Sequence, residues 1–259
     1  MARFLAVFLA AAAFFQADDD AQSKKPHQVL TRAQQNWAKK KGCHLEMDVT
    51  SVLLSAEPKV EKAELDGKLI RDFMAVRGSA ELYGRGTEKL VRQDNAFVEP
   101  RRASAKLNRV ASLARNPSLV AAELFRFQAG ATFGADEKSG TEECRVIETA
   151  ADEKTVMDQI KEVTGNLKSL EAYYIKDFTS ITDRKKSTST YKAWISKATT
   201  LPARIEWKLT IAINKKSIPI GGDQIPDQFD IDYVYLFTKY DTELQIEVPA
   251  PVKAKFGAP

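Results

Sequence analysis

The most regular pattern in the chain is an alternation of apolar and polar residues in its last third. Apolar side chains occupy every second position over 205–213, and the same alternation runs through 191–195, 229–237 and 244–248. A period of two is typical of a β-strand with one buried face. The four segments follow one another with only turns between them, so the pattern predicts four consecutive strands of an antiparallel meander.

Weaker strand signals precede this region. Residues 45–49 alternate in the same way, and 88–99 is typical of two strands joined by an Asp-Asn turn. Shorter signals lie at 60–69, 79–83 and 144–149.

Helical spacing predicts three elements before the insertion and one within it. The predicted helices cover 28–41, 103–114 and 118–129, followed by a helix that Asp152 caps and that extends to Leu170. Pro117 is placed to begin the third helix. The fold class expected is therefore α+β and β-rich, with one domain over 28–259.

The first residues have the pattern of an export signal. Residues 1–17 carry one charge, Arg3, before an unbroken apolar run at 4–15, and 18–27 is a polar lead-in. The run is shorter than the roughly 20 residues of a transmembrane helix; an uncleaved membrane anchor is the alternative. We expect a periplasmic or extracellular protein, without a lipid anchor because no cysteine precedes residue 43.

Export changes the interpretation of the two cysteines. In an oxidising compartment Cys43 and Cys144 would form the one internal disulfide that the chain allows. The alternative is that both are buried free thiols.

Composition excludes several classes of protein. Of 259 residues, 39 are basic and 35 acidic, and a net charge of +4 gives no reason to expect nucleic acid as a partner. Two histidines and two cysteines exclude a four-cysteine zinc site. No nucleophile, phosphate-loop or dinucleotide motif is present, so we expect no enzyme, no cofactor and no metal. The acidic residues 223, 227, 230 and 232 fit a solvated turn better than a calcium loop.

The apolar faces of the meander leave two interpretations open. In one, the helices seal the face as a filled core, which the residue pattern alone favours. In the other, a curved sheet does not close and its concave face holds an apolar ligand. The residues that would line such a groove are Ile205, Trp207, Leu209, Ile211, Phe229, Ile231, Tyr233 and Tyr235.

Four segments resemble an exported family. Residues 191–209 match a strand pattern W-I-x-x-x-T-x-L-P-x-R-x-E, and 237–249 match a closing F-x-x-Y-x-x-x-x-x-I-x-x-P element. Residues 142–148 and 86–92 fit a strand before a helical insertion and a G-x-x-x-L-V-R strand. Together they resemble the periplasmic lipoprotein-carrier superfamily of the LolA, LolB and LppX types, although the insertion at 150–190 is long.

The resemblance implies an incomplete antiparallel β-barrel whose concave face is covered by helices. It also implies a soluble carrier or sensor that holds a lipid, an acyl chain or another apolar ligand, with helices at 119–127 and 156–170 as a lid. An envelope protein would be a second partner. The alternative function is a non-catalytic structural or interaction module of the cell envelope with a filled core.

Overall fold

The structure, a computed structural model, describes residues 25–55, 59–167, 178–218, 225–242 and 244–259. The predicted signal segment, most of the polar lead-in and the end of the helix predicted to reach Leu170 lie outside these residues.

Within the described residues, twelve antiparallel strands form a single sheet. Its order is β6-β5-β4-β3-β2-β1-β12-β11-β10-β9-β7, with β8 also paired to β9. The strands are β1 Gly42–Ser51, β2 Glu61–Ile70, β3 Phe73–Gly78, β4 Leu82–Arg85, β5 Glu88–Gln93, β6 Ala96–Val98, β7 Thr132–Phe133, β8 Glu137–Ser139, β9 Glu142–Ala150, β10 Thr188–Ser196, β11 Pro202–Ala212 and β12 Gln228–Thr238. β6 and β7 are not paired with each other, so the barrel is incomplete, as expected.

The α-helices among the described residues are α1 Pro26–Ala38, α2 Ala105–Leu113, α3 Pro117–Arg126, α4 Glu153–Thr164 and α5 Ala250–Phe256. Local chemistry fixes two of the starts. The Asn116 side chain accepts a hydrogen bond from the backbone N–H of Ser118, with Pro117 as the first residue of α3. Asp152 accepts from the N–H of Thr155 and caps α4, as the sequence predicted.

Three of the four predicted meander strands are confirmed as β10, β11 and β12, but the fourth is wrong. Residues 244–248 form no strand, and β12 pairs instead with β1, in a register that places His44 opposite Thr238. β1 offers β12 a ladder of eight residue pairs, whereas 244–248 is short and is followed by Pro249, which has no N–H to donate. Ile246 and Val248 pack on the outer side of the sheet.

The core has a large inner layer and a small outer one. The inner faces of β1, β2 and β9–β12 form one hydrophobic cluster with α1–α4. On the opposite side of β3–β5, α5 places Val252 and Phe256 against Phe73, Tyr83 and Leu90. The C-terminal helix thus covers an outer surface and leaves the concave face to the other four.

Cys43 and Cys144 are free and buried, which is the second of the two alternatives. Cys43 belongs to the inner cluster, whereas Cys144 packs with Trp194 in a separate cluster. Three strands lie between β1 and β9, a span of about 19 Å along the sheet. A disulfide requires Cα atoms within about 7 Å of each other.

No helix among the described residues is both long and apolar enough to cross a membrane.

β2 and β3 approach each other closely at Gly67, and a substitution at this residue tests that packing. A Cβ atom there would lie 2.0 Å from the carbonyl oxygen of Ala75, which is fixed in the strand ladder. We expect Gly67→Ala to lower the free energy of unfolding by about 2–3 kcal/mol, because the strands must separate. Chemical denaturation measures it.

Gly130→Ala is the matched control, since a Cβ atom there meets nothing within 4 Å. Equal stabilities of the two variants would contradict the strand geometry described for Gly67.

Candidate functional site

The concave face carries a continuous row of aromatic rings. Tyr191, Trp207 and Tyr233 lie opposite one another on β10, β11 and β12. The ring centroids of Trp207 and Tyr233 are 4.3 Å apart, and those of Tyr191 and Trp207 are 6.3 Å apart. The row continues along β12 through Tyr235 to Phe237, at 6.0 and 6.4 Å. We call these five residues the aromatic row.

All eight residues predicted to line a groove are buried. They alternate along β11 and β12 into the inner cluster, and the most exposed of them, Phe229, is 7% accessible. The alternation in the sequence therefore identified correctly that these side chains face the inner side of the sheet. Whether they contact a ligand stays a prediction.

Helices cover this face without joining the sheet. α4 packs on β10 and β11, and α2 contacts both β5 and α4. The sheet ladder is complete without the helices, because each of these strands pairs with strands on both sides. The cover is therefore held over the aromatic row by side chains.

A buried arginine lies at the centre of this interface. Arg115, in the turn between α2 and α3, has a side chain only 3% exposed. Its guanidinium makes two parallel hydrogen bonds of 2.7 Å to Glu123 and two, of 3.0 and 2.8 Å, to one oxygen of Glu162. The same group lies 4.7 Å above the ring of Trp207. Arg115 thereby joins α3 and α4 and places both over the aromatic row.

Glu123 links the cluster to the sheet. Its Oε2 accepts hydrogen bonds from the amide of Gln159 at 2.6 Å and from the hydroxyl of Tyr191 at 2.7 Å. The Gln159 amide also donates to the Tyr191 oxygen at 2.5 Å. Residues from α3, α4 and β10 thus share one hydrogen-bond network.

The charges in the cluster are maintained by their partners. Burial alone would raise the pKa of Glu123, but hydrogen bonds and charge from Arg115 outweigh it and the pKa is lowered. Burial would also lower the pKa of Arg115, yet its two carboxylate partners raise it. Both side chains are therefore ionised at neutral pH. Burial raises the pKa of Tyr191 and Tyr233, which stay neutral phenols.

Lys89 is a second buried cation beside this network. It is an inward-facing residue of β5 and donates to the carbonyl oxygens of Ala111, Ser112 and Ala114 at 2.8–3.1 Å. These carbonyls lie at the C-terminal end of α2, where a helix favours positive charge. Burial lowers the pKa of Lys89 to about 8, while Glu162 opposes the shift.

Four buried polar atoms at this interface have no hydrogen-bond partner among the described residues. They are Ser112 Oγ, Gln159 Oε1, Glu162 Oε1 and Tyr233 Oη. A buried polar atom without a partner costs about 1–3 kcal/mol. Each such atom in a folded protein calls for an explanation.

The outer face offers two weaker candidates. A depression of about 730 Å³ is lined by the charged residues Lys192, Glu206, Lys208 and Asp232, and also by Tyr191, Trp207 and Tyr233 of the aromatic row. Lys192 is engaged with Glu137 at 3.0 Å. The opposite charges around it give no consistent chemistry for one ligand.

The second outer candidate joins three metal-binding side chains. His44, Glu46 and Asp66 each present a ligand atom within 4.8 Å of the others. His44 Nε2 lies 2.9 Å from Asp66 Oδ1, and the three are partly or fully exposed. The arrangement is explained by a contact between a histidine and a carboxylate on the surface of the sheet.

Sequence reasoning missed the Arg115 cluster, although one signal was present. In β5, Lys89 shares its face with Val91, so the alternation places a lysine among inward-facing residues. Arg115 gave no comparable signal, since a charged residue in a turn before Asn116 and Pro117 is ordinary.

Comparison with solved structures finds the lipoprotein LppX of Mycobacterium tuberculosis, at 10% identity and a TM-score of 0.44 over 85% of this chain and 97% of that one. LprF of Mycobacterium bovis follows at 11% identity and 0.41, covering 88% and 97%. A LolA superfamily protein of Nitrosomonas europaea has 9% identity and 0.28, covering 89% and 97%. At these identities and scores the comparison concerns the arrangement of the chain alone, and nothing about this chain's ligand follows from it.

No family model and no curated protein matches the chain.

Lys89 gives a pH dependence of stability. Its folded pKa of about 8 lies below the 10.5 of an exposed lysine, so between these values the unfolded chain holds more protons. Stability then rises with pH, by up to about 1.4 kcal/mol per pH unit. We expect the free energy of unfolding of the wild type, minus that of Lys89→Met, to increase from pH 8 to pH 10.

Subtracting the variant removes the titration of Cys43 and the buried tyrosines, which act on both proteins. Urea denaturation at each pH gives the difference. A difference that stays constant or falls over this range would show that Lys89 is not held as described.

Proposed function

We propose that this protein is a non-catalytic carrier or sensor that binds the hydrocarbon chain of a lipid between the aromatic row and helices α2–α4. The observation that carries the proposal is the interface itself. A separate helical cover is held over a broad apolar floor by a polar network with unpartnered atoms, where a purely structural core would be apolar.

The floor suits hydrocarbon. It presents flat rings from three adjacent strands, extended by the aliphatic side chains of the same faces. Each buried methylene contributes about 0.8 kcal/mol. A chain of about 14 carbons would therefore gain on the order of 10 kcal/mol before the costs of ordering it and displacing the cover.

The cover can move without breaking a strand pair. Moving α4 away from β10 separates side-chain contacts, among them those of Gln159 and Tyr191, and leaves the ladder intact. We place the protein in the periplasm or outside the cell because residues 1–17 have the pattern of an export signal. A partner in the envelope would then supply or accept the lipid.

One observation favours the second candidate, an envelope interaction module with a filled core. The eight predicted lining residues are at most 7% exposed beneath the helices. In that case the concave face would have no ligand.

Native mass spectrometry of protein purified from its own cell compartment separates the two candidates. We expect a bound species of lipid mass that is lost on solvent extraction, and binding of the apolar fluorophore N-phenylnaphthylamine by the extracted protein. A protein that carries no lipid and does not bind the fluorophore would contradict the carrier and support the module.

Tryptophan fluorescence locates the bound chain. The chain has three tryptophans; Trp207 is in the aromatic row, whereas Trp194 lies on the outer face beside Glu137. With Trp37→Phe and Trp194→Phe combined, Trp207 is the remaining reporter, and we expect its emission to change when methyl palmitate is added.

The matched control combines Trp37→Phe with Trp207→Phe and keeps only Trp194, whose emission should not respond. A response of Trp194 alone would place the ligand on the outer face and contradict the proposal.

A further inference from the structure

The four unpartnered atoms belong to residues of the elements that meet at the concave interface, namely α2, α4 and β12. Gln159 and Glu162 are three residues apart on α4 and face the same side. Tyr233 stacks against Trp207, the ring that lies under the Arg115 guanidinium. Ser112 belongs to the last turn of α2, next to the carbonyl groups that Lys89 holds.

Two of the four atoms can only accept hydrogen bonds. The Gln159 nitrogen donates to the carboxylate of Glu123, so its amide orientation is fixed and the remaining Oε1 is a carbonyl acceptor. Glu162 uses Oε2 for Arg115, which leaves the carboxylate oxygen Oε1 as an acceptor. The Tyr233 and Ser112 hydroxyls can both donate and accept. The group that would satisfy these atoms must therefore bring hydrogen-bond donors.

The charge of the cluster is already balanced. Arg115 and Lys89 supply two positive charges, and Glu123 and Glu162 supply two negative ones. A bound carboxylate or phosphate would find no spare cation and would face the oxygens of Glu162 and Gln159. A bound ammonium group would add a buried charge with no spare anion. An uncharged group with several hydroxyls meets neither penalty.

We propose that the lipid carried by this protein has an uncharged polyol head group, of the glycerol or sugar type, which is bound by Gln159, Glu162, Tyr233 and Ser112. The inference rests on the proposed function, since the head group reaches this cluster only if the chain lies along the aromatic row. It adds the chemical class of the ligand at its polar end.

The test is competition against N-phenylnaphthylamine by three ligands with the same sixteen-carbon chain. They are 1-palmitoylglycerol, palmitate and methyl palmitate. We expect 1-palmitoylglycerol to displace the fluorophore at a concentration at least tenfold lower than the other two.

Palmitate that competes as well as 1-palmitoylglycerol would overturn the head-group assignment and leave the carrier standing. Failure of the extracted protein to bind the fluorophore or any of the three would instead overturn the carrier, and the head group with it. The two failures are therefore distinguishable.

Tyr233→Phe tests the assignment at one atom. The variant removes a hydroxyl that has no hydrogen-bond partner in the described part of the chain, so the melting temperature should stay the same or rise. We expect the preference for 1-palmitoylglycerol over methyl palmitate to fall at least threefold. Displacement by methyl palmitate should not change, because the ring is retained.

Tyr83→Phe is the matched control, because Tyr83 is buried in the outer layer, away from the aromatic row, and its hydroxyl already donates to the Glu81 carboxylate at 3.2 Å. Its preference should equal that of the wild type. An unchanged preference in Tyr233→Phe, or an equal loss in both variants, would overturn the role of the Tyr233 hydroxyl.

Discussion

A guanidinium group removed from water must be surrounded by acceptors, and the arrangement of the helices over the sheet follows from this requirement at Arg115. Two carboxylates from different helices, and the face of an indole ring beneath, meet the requirement. Each of these contacts with Arg115 forms only when α3, α4 and β11 hold one position relative to one another. Breaking such a buried pair on one side costs about 3–5 kcal/mol, whereas apolar contacts tolerate sliding. The arginine therefore specifies where the cover lies more than it adds to stability.

The sequence was most informative where one property has a fixed period. Alternation along β10–β12 identifies which side chains face inward, because a strand turns every second residue to the same side. Capping residues such as Asp152 were equally informative, since the hydrogen bond of a cap joins residues no more than three positions apart. Both signals depend only on neighbours in the chain.

The features that the sequence predicted wrongly or missed depend on residues that are far apart in the chain. Residues 244–248 alternate like a strand, but the free edge of β12 is taken by β1, which lies almost 200 positions earlier. Burial of Arg115 depends on Glu123 and Glu162, and the separation of Cys43 from Cys144 depends on the order of strands in the sheet. The strand propensity of a segment cannot show which of two segments will pair with the same strand. The same limit kept the filled core and the ligand groove open as alternatives.

The two edges of the sheet affect how the protein behaves at high concentration. An open barrel presents two edges whose unpaired backbone groups can recruit a strand from another molecule. Here the terminal strands are β6, with three residues, at one edge, and β7 and β8, with two and three, along β9 at the other. Edge strands this short offer a neighbouring chain few backbone hydrogen bonds. The open curved sheet therefore has little tendency to pair with strands of other molecules.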